Sequence, residues 1–487
     1  MKRTLLLTLG ALALAACHDA APTAPASAPA AGARLETTAG GPRIDPQLAT
    51  ALSTAAPTQQ LVVIVNYDPA RTSTPGIAGQ VMRLGAGVMT FRNLSMLVAL
   101  ATPAQVQAMT GLAGVESVYA NRQENLLLRE STAAIRADQA WADGVTGKGV
   151  GVAILDSGIN GLNPDVAYPS KTVANLKFVL NFYSLTDDTT SLPRPGGELF
   201  VANLPNSDNT GGHGTHVAGI AAGNGGTSFG AYRGVAPGAN LIGLSAGEGL
   251  HILYASALQA VDWMLDHRAQ YNIKVVNNSW GGMGTFDPTD PVNEAMKTVH
   301  DAGITVVFAA GNDGPAANTM NTHSVAPWVI SVAAGCKLFV LDPTNSKSQC
   351  VDAAGRAPVL AGFSSRGVDG DPMEHPDITA PGVRIVSARS YAGVVPPLGL
   401  TSDLNACNIG FQNLDDFTCM SGTSMASPHI AGVVALMQEA ANGKLTPDRV
   451  LSILTSTARP QPGYALWEQG AGYADAYAAV QAAKAYR

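Results

Sequence analysis

A carboxylate, an imidazole and a hydroxyl each stand where an apolar run begins or ends, and this placement constrains the fold more than any other feature of the chain. Val150-Gly151-Val152-Ala153-Ile154-Leu155 is a continuous apolar run of strand length, the pattern of a strand covered on both faces. Asp156-Ser157-Gly158 closes it, and a carboxylate at the carboxyl end of such a strand points into the crevice where open α/β sheets bind ligands. Gly212-His213-Gly214-Thr215-His216-Val217-Ala218-Gly219 opens an apolar, small-residue helix that continues through Ile220 and Ala222. Gly422-Thr423-Ser424-Met425-Ala426-Ser427-Pro428-His429 sets a serine hydroxyl at the head of another helical run, Ile430 to Ala440. A helix N-terminus offers unpaired N–H groups and positive potential, which suit an oxyanion. Gly422 removes a side chain where a peptide would approach. Each motif alone has a plainer reading as a turn or a cap. Together Asp156, His213 and Ser424 supply the orienter, base and nucleophile of acyl transfer.

The runs between them set the architecture. Val150–Leu155, Lys274–Asn277, Thr305–Phe308 and Val329–Val332 are apolar β runs; Ala255–Leu265, Val292–Ala302 and Ser424–Glu439 carry helical patterns. The alternation predicts an α/β fold with a doubly wound, mostly parallel sheet over residues 131–487. Length alone, 487 residues, would allow about three domains, but Asp156 and Ser424 must share one. A small α+β, ferredoxin-like unit is expected at 59–130. It has strands at Leu61–Val65 and Val115–Tyr119 and another on which Leu94, Met96 and Val98 alternate. Thr102-Pro103-Ala104-Gln105 has the form of a capping box before a helix carrying Val106, Met109 and Leu112. A net charge of −7 leaves no basic footprint for nucleic acid.

Met1-Lys2-Arg3 followed by the apolar stretch Thr4–Ala16 has signal-peptide anatomy, and at that length it is too short to span a membrane. Leu14-Ala15-Ala16-Cys17 resembles a bacterial lipobox, in which Cys17 would become the lipid-bearing first residue. The alternative is an ordinary signal peptide cut after Ala13 or Ala15 and a secreted, soluble protein. Residues 17–58, rich in Ala, Pro, Ser and Thr, read as a flexible tether. Setting Cys17 aside leaves Cys336, Cys350, Cys407 and Cys419, an even set in an exported chain. Three pairings exist; close spacing favours Cys336–Cys350 and Cys407–Cys419.

From about Ile135 to Ala483 the three motifs resemble those of the subtilisin-like serine proteases, the subtilases. The resemblance implies a peptide-cleaving enzyme with Asp156, His213 and Ser424 as its triad. Ala309-Ala310-Gly311-Asn312 is similar to the family's oxyanion segment, so Asn312 would donate beside the Ser424 N–H. Asn278-Ser279-Trp280-Gly281-Gly282 is similar to the substrate-binding strand, with Ser279, Trp280, Gly281 and Gly282 lying against the peptide; Trp280 reads equally well as core. Residues 59–130 resemble the family's inhibitor-type prodomain, which would make the protein a self-processing precursor cut between about Arg122 and Thr132 and inhibited by its own N-terminal unit. Catalysis needs no cofactor in the family. Structural calcium is implied without an assignable ligand set. Protein or peptide substrates, a monomer and a broad, mainly apolar P1 preference are expected. His216 and His429 read as scaffold, although His213 and His216 on one helix face also resemble a metal pair.

Overall fold

The computed structural model describes residues 43–44, 46–90, 95–120, 130–179, 200–208, 211–248, 251–337, 360–391, 403, 407 and 409–487. The chain makes two compact units, Met1–Asn125 and Leu126–Arg487. The signal segment with Cys17, most of the expected tether, Cys350 and most of the expected maturation stretch lie outside the described residues.

In the first unit the elements are β1 (Arg43–Ile44), α1 (Pro46–Thr54), β2 (Leu61–Tyr67), α2 (Thr74–Arg83), β3 (Gly87–Thr90), β4 (Met96–Ala101), α3 (Pro103–Met109) and β5 (Val115–Ala120). The sheet order is β1-β5-β2-β4-β3. Helices α2 and α3 follow β2 and β4, which gives the two split β-α-β halves of a ferredoxin-like fold. Thr102 and Gln105 close the capping box, with the Thr102 N–H donating to Gln105 Oε1 at 2.8 Å. On β4 the buried set is Leu97, Ala99 and Ala101, the alternates of Met96 and Val98, because these share the face packed with Ile77, Val81, Val106 and Met109 of the helices. The tether also stops short of residue 58. Arg43–Ile44 pair in parallel with β5, and α1 buries Leu48 at 1% exposure in the unit's core.

The second unit begins with α4 (Glu130–Ala134) and α5 (Ala137–Ala142). Then come β6 (Gly151–Asp156), β7 (Thr172–Phe178), β8 (Phe200–Val201), α6 (His213–Ala222), β9 (Asn240–Ser245), the small hairpin β10 (Gly247–Glu248) and β11 (His251–Ile252), and α7 (Tyr254–His267). The second half holds β12 (Ile273–Asn278), α8 (Pro291–Asp301), β13 (Thr305–Ala309), β14 (Ile330–Gly335), β15 (Ile378–Pro381), the hairpin β16 (Ile385–Ala388) and β17 (Phe417–Met420), and α9 (Thr423–Ala440). Sheet order is β15-β14-β13-β12-β6-β9-β7-β8, parallel throughout except for the β7–β8 edge pair.

Alternate residues of each central strand face opposite cores, which explains the unbroken apolar runs. Val152 and Ile154 pack with α6 and α9 on one side. Ala153 and Leu155 pack with α7 and α8 on the other. From β6 the chain crosses to β7 and β8 at the edge, comes back through β9 between β6 and β7, then passes to β12 on the other side of β6 and builds outward through β13, β14 and β15. The switch point therefore lies between β6 and β12, and their carboxyl ends carry Asp156 and Asn278. Cys407 and Cys419 form a disulfide whose second sulfur sits on β17. Cys336 is also disulfide-bonded.

Candidate active site

Asp156 ends β6, nearly fully buried, and its Oδ1 accepts both the Ser157 N–H and the His213 Nδ1–H, each at 2.7 Å. His213 is the first residue of α6, entered through Gly212 at φ 77°, a conformation that favours glycine. Burial pulls the imidazole pKa down. The Asp156 charge and hydrogen bond, with a smaller push from the Asp208 charge, outweigh it and leave His213 above the ordinary 6.5.

Ser424 lies in the first turn of α9. Its hydroxyl donates to the Ser279 carbonyl at 3.0 Å, and the Ser279 hydroxyl donates back to the Ser424 carbonyl at 2.9 Å. That second bond exists because of Pro428. In a helix the Ser424 carbonyl would take the N–H four residues on, and proline has none. The Ser424 hydroxyl is bonded to Ser279 and not to His213; catalytic hydrogen bonds often form only with substrate present.

Asn312 Oδ1 accepts the Thr423 N–H at 2.9 Å and the Thr423 hydroxyl at 3.0 Å, so the amide orientation is fixed and Nδ2 is turned away from Thr423. The space beside it is defined by Gly422. A methyl group there would lie 3.6 Å from Met425 Sδ and from Ser424 N, and 3.7 Å from Asn312 Nδ2.

A cleft of about 580 Å³ joins Asp156 and His213 to Ser279, Trp280, Gly281 and Gly282. Trp280 serves the wall and the core together. It lines the cleft, donates Nε1–H to the Leu155 carbonyl at 2.8 Å and meets Phe308 edge-on at 5.4 Å. The two glycines differ. Gly281 is required by what lies behind it, since a Cβ would come within 2.2 Å of Asn321 Oδ1; Gly282 faces open space. The cleft also takes in His251, Ile252, Tyr254, Met283, Thr322 and His323, none of which the sequence singled out. His323 donates Nδ1–H to Asn293 and accepts from the Tyr254 hydroxyl at 3.0 Å. These are scattered single residues on loops and element starts, without a motif to mark them.

His216 does not pair with His213 toward a metal. It is fully buried, its Nε2 faces the Ile385 and Thr418 carbonyls at 3.1 and 3.2 Å, and burial first, then His213, push its pKa down to about 3. His429 donates Nδ1–H to the Met425 carbonyl one turn back and is pushed down to about 4 by burial. Among the described residues no three His, Cys, Asp or Glu side chains converge as metal ligands.

A carboxylate–imidazole pair at the carboxyl edge of a doubly wound sheet lies on the cleft, and the helix-start serine bonds Ser279 on its wall. Residues 147–473 match the subtilase family, peptidase S8. Serine protease AprX of Bacillus subtilis (strain 168) is 34% identical over 381 residues, 75% of this chain and 74% of that one. Subtilisin E of the same organism is 32% identical over 313 residues, 62% of this chain and 59% of that one. The crystal structure of fervidolysin from Fervidobacterium pennivorans, a keratinolytic enzyme related to subtilisin, shares the fold at TM-score 0.52 and 22% identity, covering 87% of this chain and 61% of that one. This chain thus spans less than two thirds of subtilisin E and of the fervidolysin structure. The chain belongs to the subtilase family and is a serine-type endopeptidase.

The three histidines separate by titration. In NMR spectra of the Ser424→Ala protein, His213 should titrate above the ordinary histidine value, with His216 and His429 neutral from about pH 5 to 9. Because the folded-state pKa of His213 is raised, the stabilisation from its pairing is complete below the ordinary value and fades as pH rises through the raised one. A His213 titrating below 6.5 would remove Asp156 as its charge partner.

Proposed function

We propose that this protein is an exported endopeptidase that cleaves peptide bonds through an acyl-enzyme, with Asp156, His213 and Ser424 as its triad. The reading is supported by the 2.7 Å His213–Asp156 bond and by Ser424 N and Asn312 Nδ2 each lying within 3.7 Å of where a Gly422 methyl would stand. His213 Nε2 takes the Ser424 proton as Oγ leaves the Ser279 carbonyl for the substrate carbonyl carbon. The developing oxyanion sits between the Ser424 N–H and Asn312 Nδ2, in the pocket Gly422 leaves open. His213 then gives its proton to the leaving amine, and water repeats the sequence on the acyl-enzyme. Asp156 holds the Nδ1–H tautomer throughout and stabilises the imidazolium.

The substrate lies extended along Ser279–Gly282 and adds a strand to that edge. Trp280, Ile252 and Met283 in the cleft support a broad, mainly apolar preference, including at P1. The N-terminal unit is proposed to act as an intramolecular inhibitor that the enzyme removes from its own precursor. Substrates are proteins or peptides met outside the cytoplasm, and the enzyme works as a monomer. Extracellular protease of Xanthomonas campestris, 31% identical over 374 residues, supports export. The lipobox-like segment ending at Cys17 supports a lipid anchor in the cell envelope for the precursor, from which cleavage between about residues 122 and 132 would separate the catalytic unit.

Ser424→Ala should abolish peptidase activity and leave uncut precursor, and a fluorophosphonate should label the wild type at Ser424 alone. Activity retained in the variant, or labelling elsewhere, contradicts the triad.

Gly422→Ala separates chemistry from folding. Its backbone is extended, φ 160°, and a methyl group would make only ordinary contacts, so Tm should hold. The methyl obstructs the oxyanion pocket, and kcat should fall about 10²–10³-fold, the cost of losing one donor. Equal kcat would place the oxyanion elsewhere.

The intact mass of the exported protein reads maturation and anchoring together. A lipid-bearing Cys17 on the precursor, and a mature form starting between about residues 122 and 132, are expected. An unmodified N-terminus at Leu14 or Ala16 makes the protein simply secreted.

A further inference from the structure

We propose that Asp208 is a positioning residue that locks the Asp156 turn to the start of α6, using the Ser157 hydroxyl as its link. The proposal rests on the catalytic reading above and adds a residue to it. Asp208 is fully buried and accepts four hydrogen bonds. Oδ1 takes the Ser157 hydroxyl at 3.0 Å and the Gly212 N–H at 2.9 Å. Oδ2 takes the Thr215 N–H at 3.0 Å and the Thr215 hydroxyl at 2.5 Å. One carboxylate therefore grips the residue after Asp156 and the residues on both sides of His213.

The two hydroxyls complete a cross-stitch. Ser157 Oγ, from the β6 side, accepts the Gly214 N–H of α6 at 2.9 Å. Thr215 Oγ1, from the α6 side, accepts the Asn160 N–H of the turn after β6 at 2.9 Å. Each hydroxyl donates to Asp208 and accepts from the opposite element, so every direction is determined. The hydroxyl at 157 is thus a required part of Asp-Ser-Gly. The Asp208 backbone carbonyl is held in turn by the Ser390 hydroxyl at 3.0 Å.

Asp208 also adds a second negative charge near His213 and helps raise its basicity. Burial pushes Asp208's own pKa up against the pull of its four donors. The other titratable groups around the pair are few. Asp156 faces it from β6. His216 on α6 and His429 on α9 are pushed down to about 3 and about 4 by burial and stay neutral. Asp165 reaches the far end of α6 with Lys171 as its charge partner, and His251 lines the cleft.

The test is the second-order rate of fluorophosphonate labelling at Ser424 against pH, on the full chain. Asp208→Asn places an amide NH₂ opposite a backbone N–H whichever way it turns. The labelling rate should fall at least about tenfold, and its acid limb should move to lower pH as His213 loses a raising charge. A purely structural role would lower the rate without moving the limb. If Asp208→Asn does not fold, Ser157→Ala and Ser157→Thr decide. The alanine variant keeps the Asp208 charge and loses the link, so its rate falls at an unshifted limb; the threonine variant restores the rate. A folded Asp208→Asn protein with wild-type rate and limb, or a Ser157→Ala protein as reactive as wild type, overturns the proposal. Wild type that fails to label at Ser424 overturns the catalytic reading instead.

Discussion

The site depends on the burial of α9. This helix is apolar around its circumference and buried along most of its length, between α6 and the sheet. Burying Val433, Val434, Leu436 and Met437 stabilises by about 1.5–3 kcal/mol each, as an upper estimate. Helix position is fixed as tightly as the core is packed. Gly432 sets the distance to α6: a Cβ there would come within 2.5 Å of Val235 and 2.8 Å of the Ala221 carbonyl. The two helices that start with His213 and Thr423–Ser424 are therefore placed by one close packing contact far from the chemistry.

The ends of these helices lie where a parallel sheet leaves its crevice, and each local irregularity there exposes a donor or acceptor. Pro428 frees the Ser424 carbonyl for Ser279 and ties the nucleophile turn to the end of β12. Gly422 leaves the Ser424 N–H and Asn312 Nδ2 facing a common space. Thr423 fixes the Asn312 amide and, through Gly311, the strand end that carries it. Asp208 performs the same service between β6 and α6. In the proposed mechanism the charge-stabilising groups are in place before substrate arrives, which is where most of the rate enhancement in such sites originates.

How much of this could be read from sequence depended on whether the determining contact was local. Strands at Val150–Leu155 and Thr305–Phe308 were legible because burial on both faces leaves an unbroken apolar run. The positions of Asp156, His213 and Ser424 at element ends were legible for the same reason, since each adjoins an apolar run. Residues 43–54 were not, since β1 is two residues long and depends on a strand far along the chain, while α1 has only Leu48 and Leu52 to mark a buried side. The alternation of Met96 and Val98 revealed a strand but not its buried face, which the helices on Leu97 and Ala99 decide. The Asn321 side chain behind Gly281, which adds a second need for glycine there, comes from a position far along the chain and was not legible. Asp208 stands among Asn, Thr and Gly and looks like any loop aspartate; only its burial gives it away.

The central claim is that the α9 start, the end of β13 and the α6 start together form one preorganised acyl-transfer centre. A structure of the protein with a fluorophosphonate bound at the nucleophile tests it most directly. The account predicts phosphorus on Ser424 Oγ, released from the Ser279 carbonyl, with the phosphoryl oxygen about 2.7–3.1 Å from both the Ser424 N and Asn312 Nδ2. A phosphoryl oxygen pointing to solvent, or an adduct on any other residue, would contradict it.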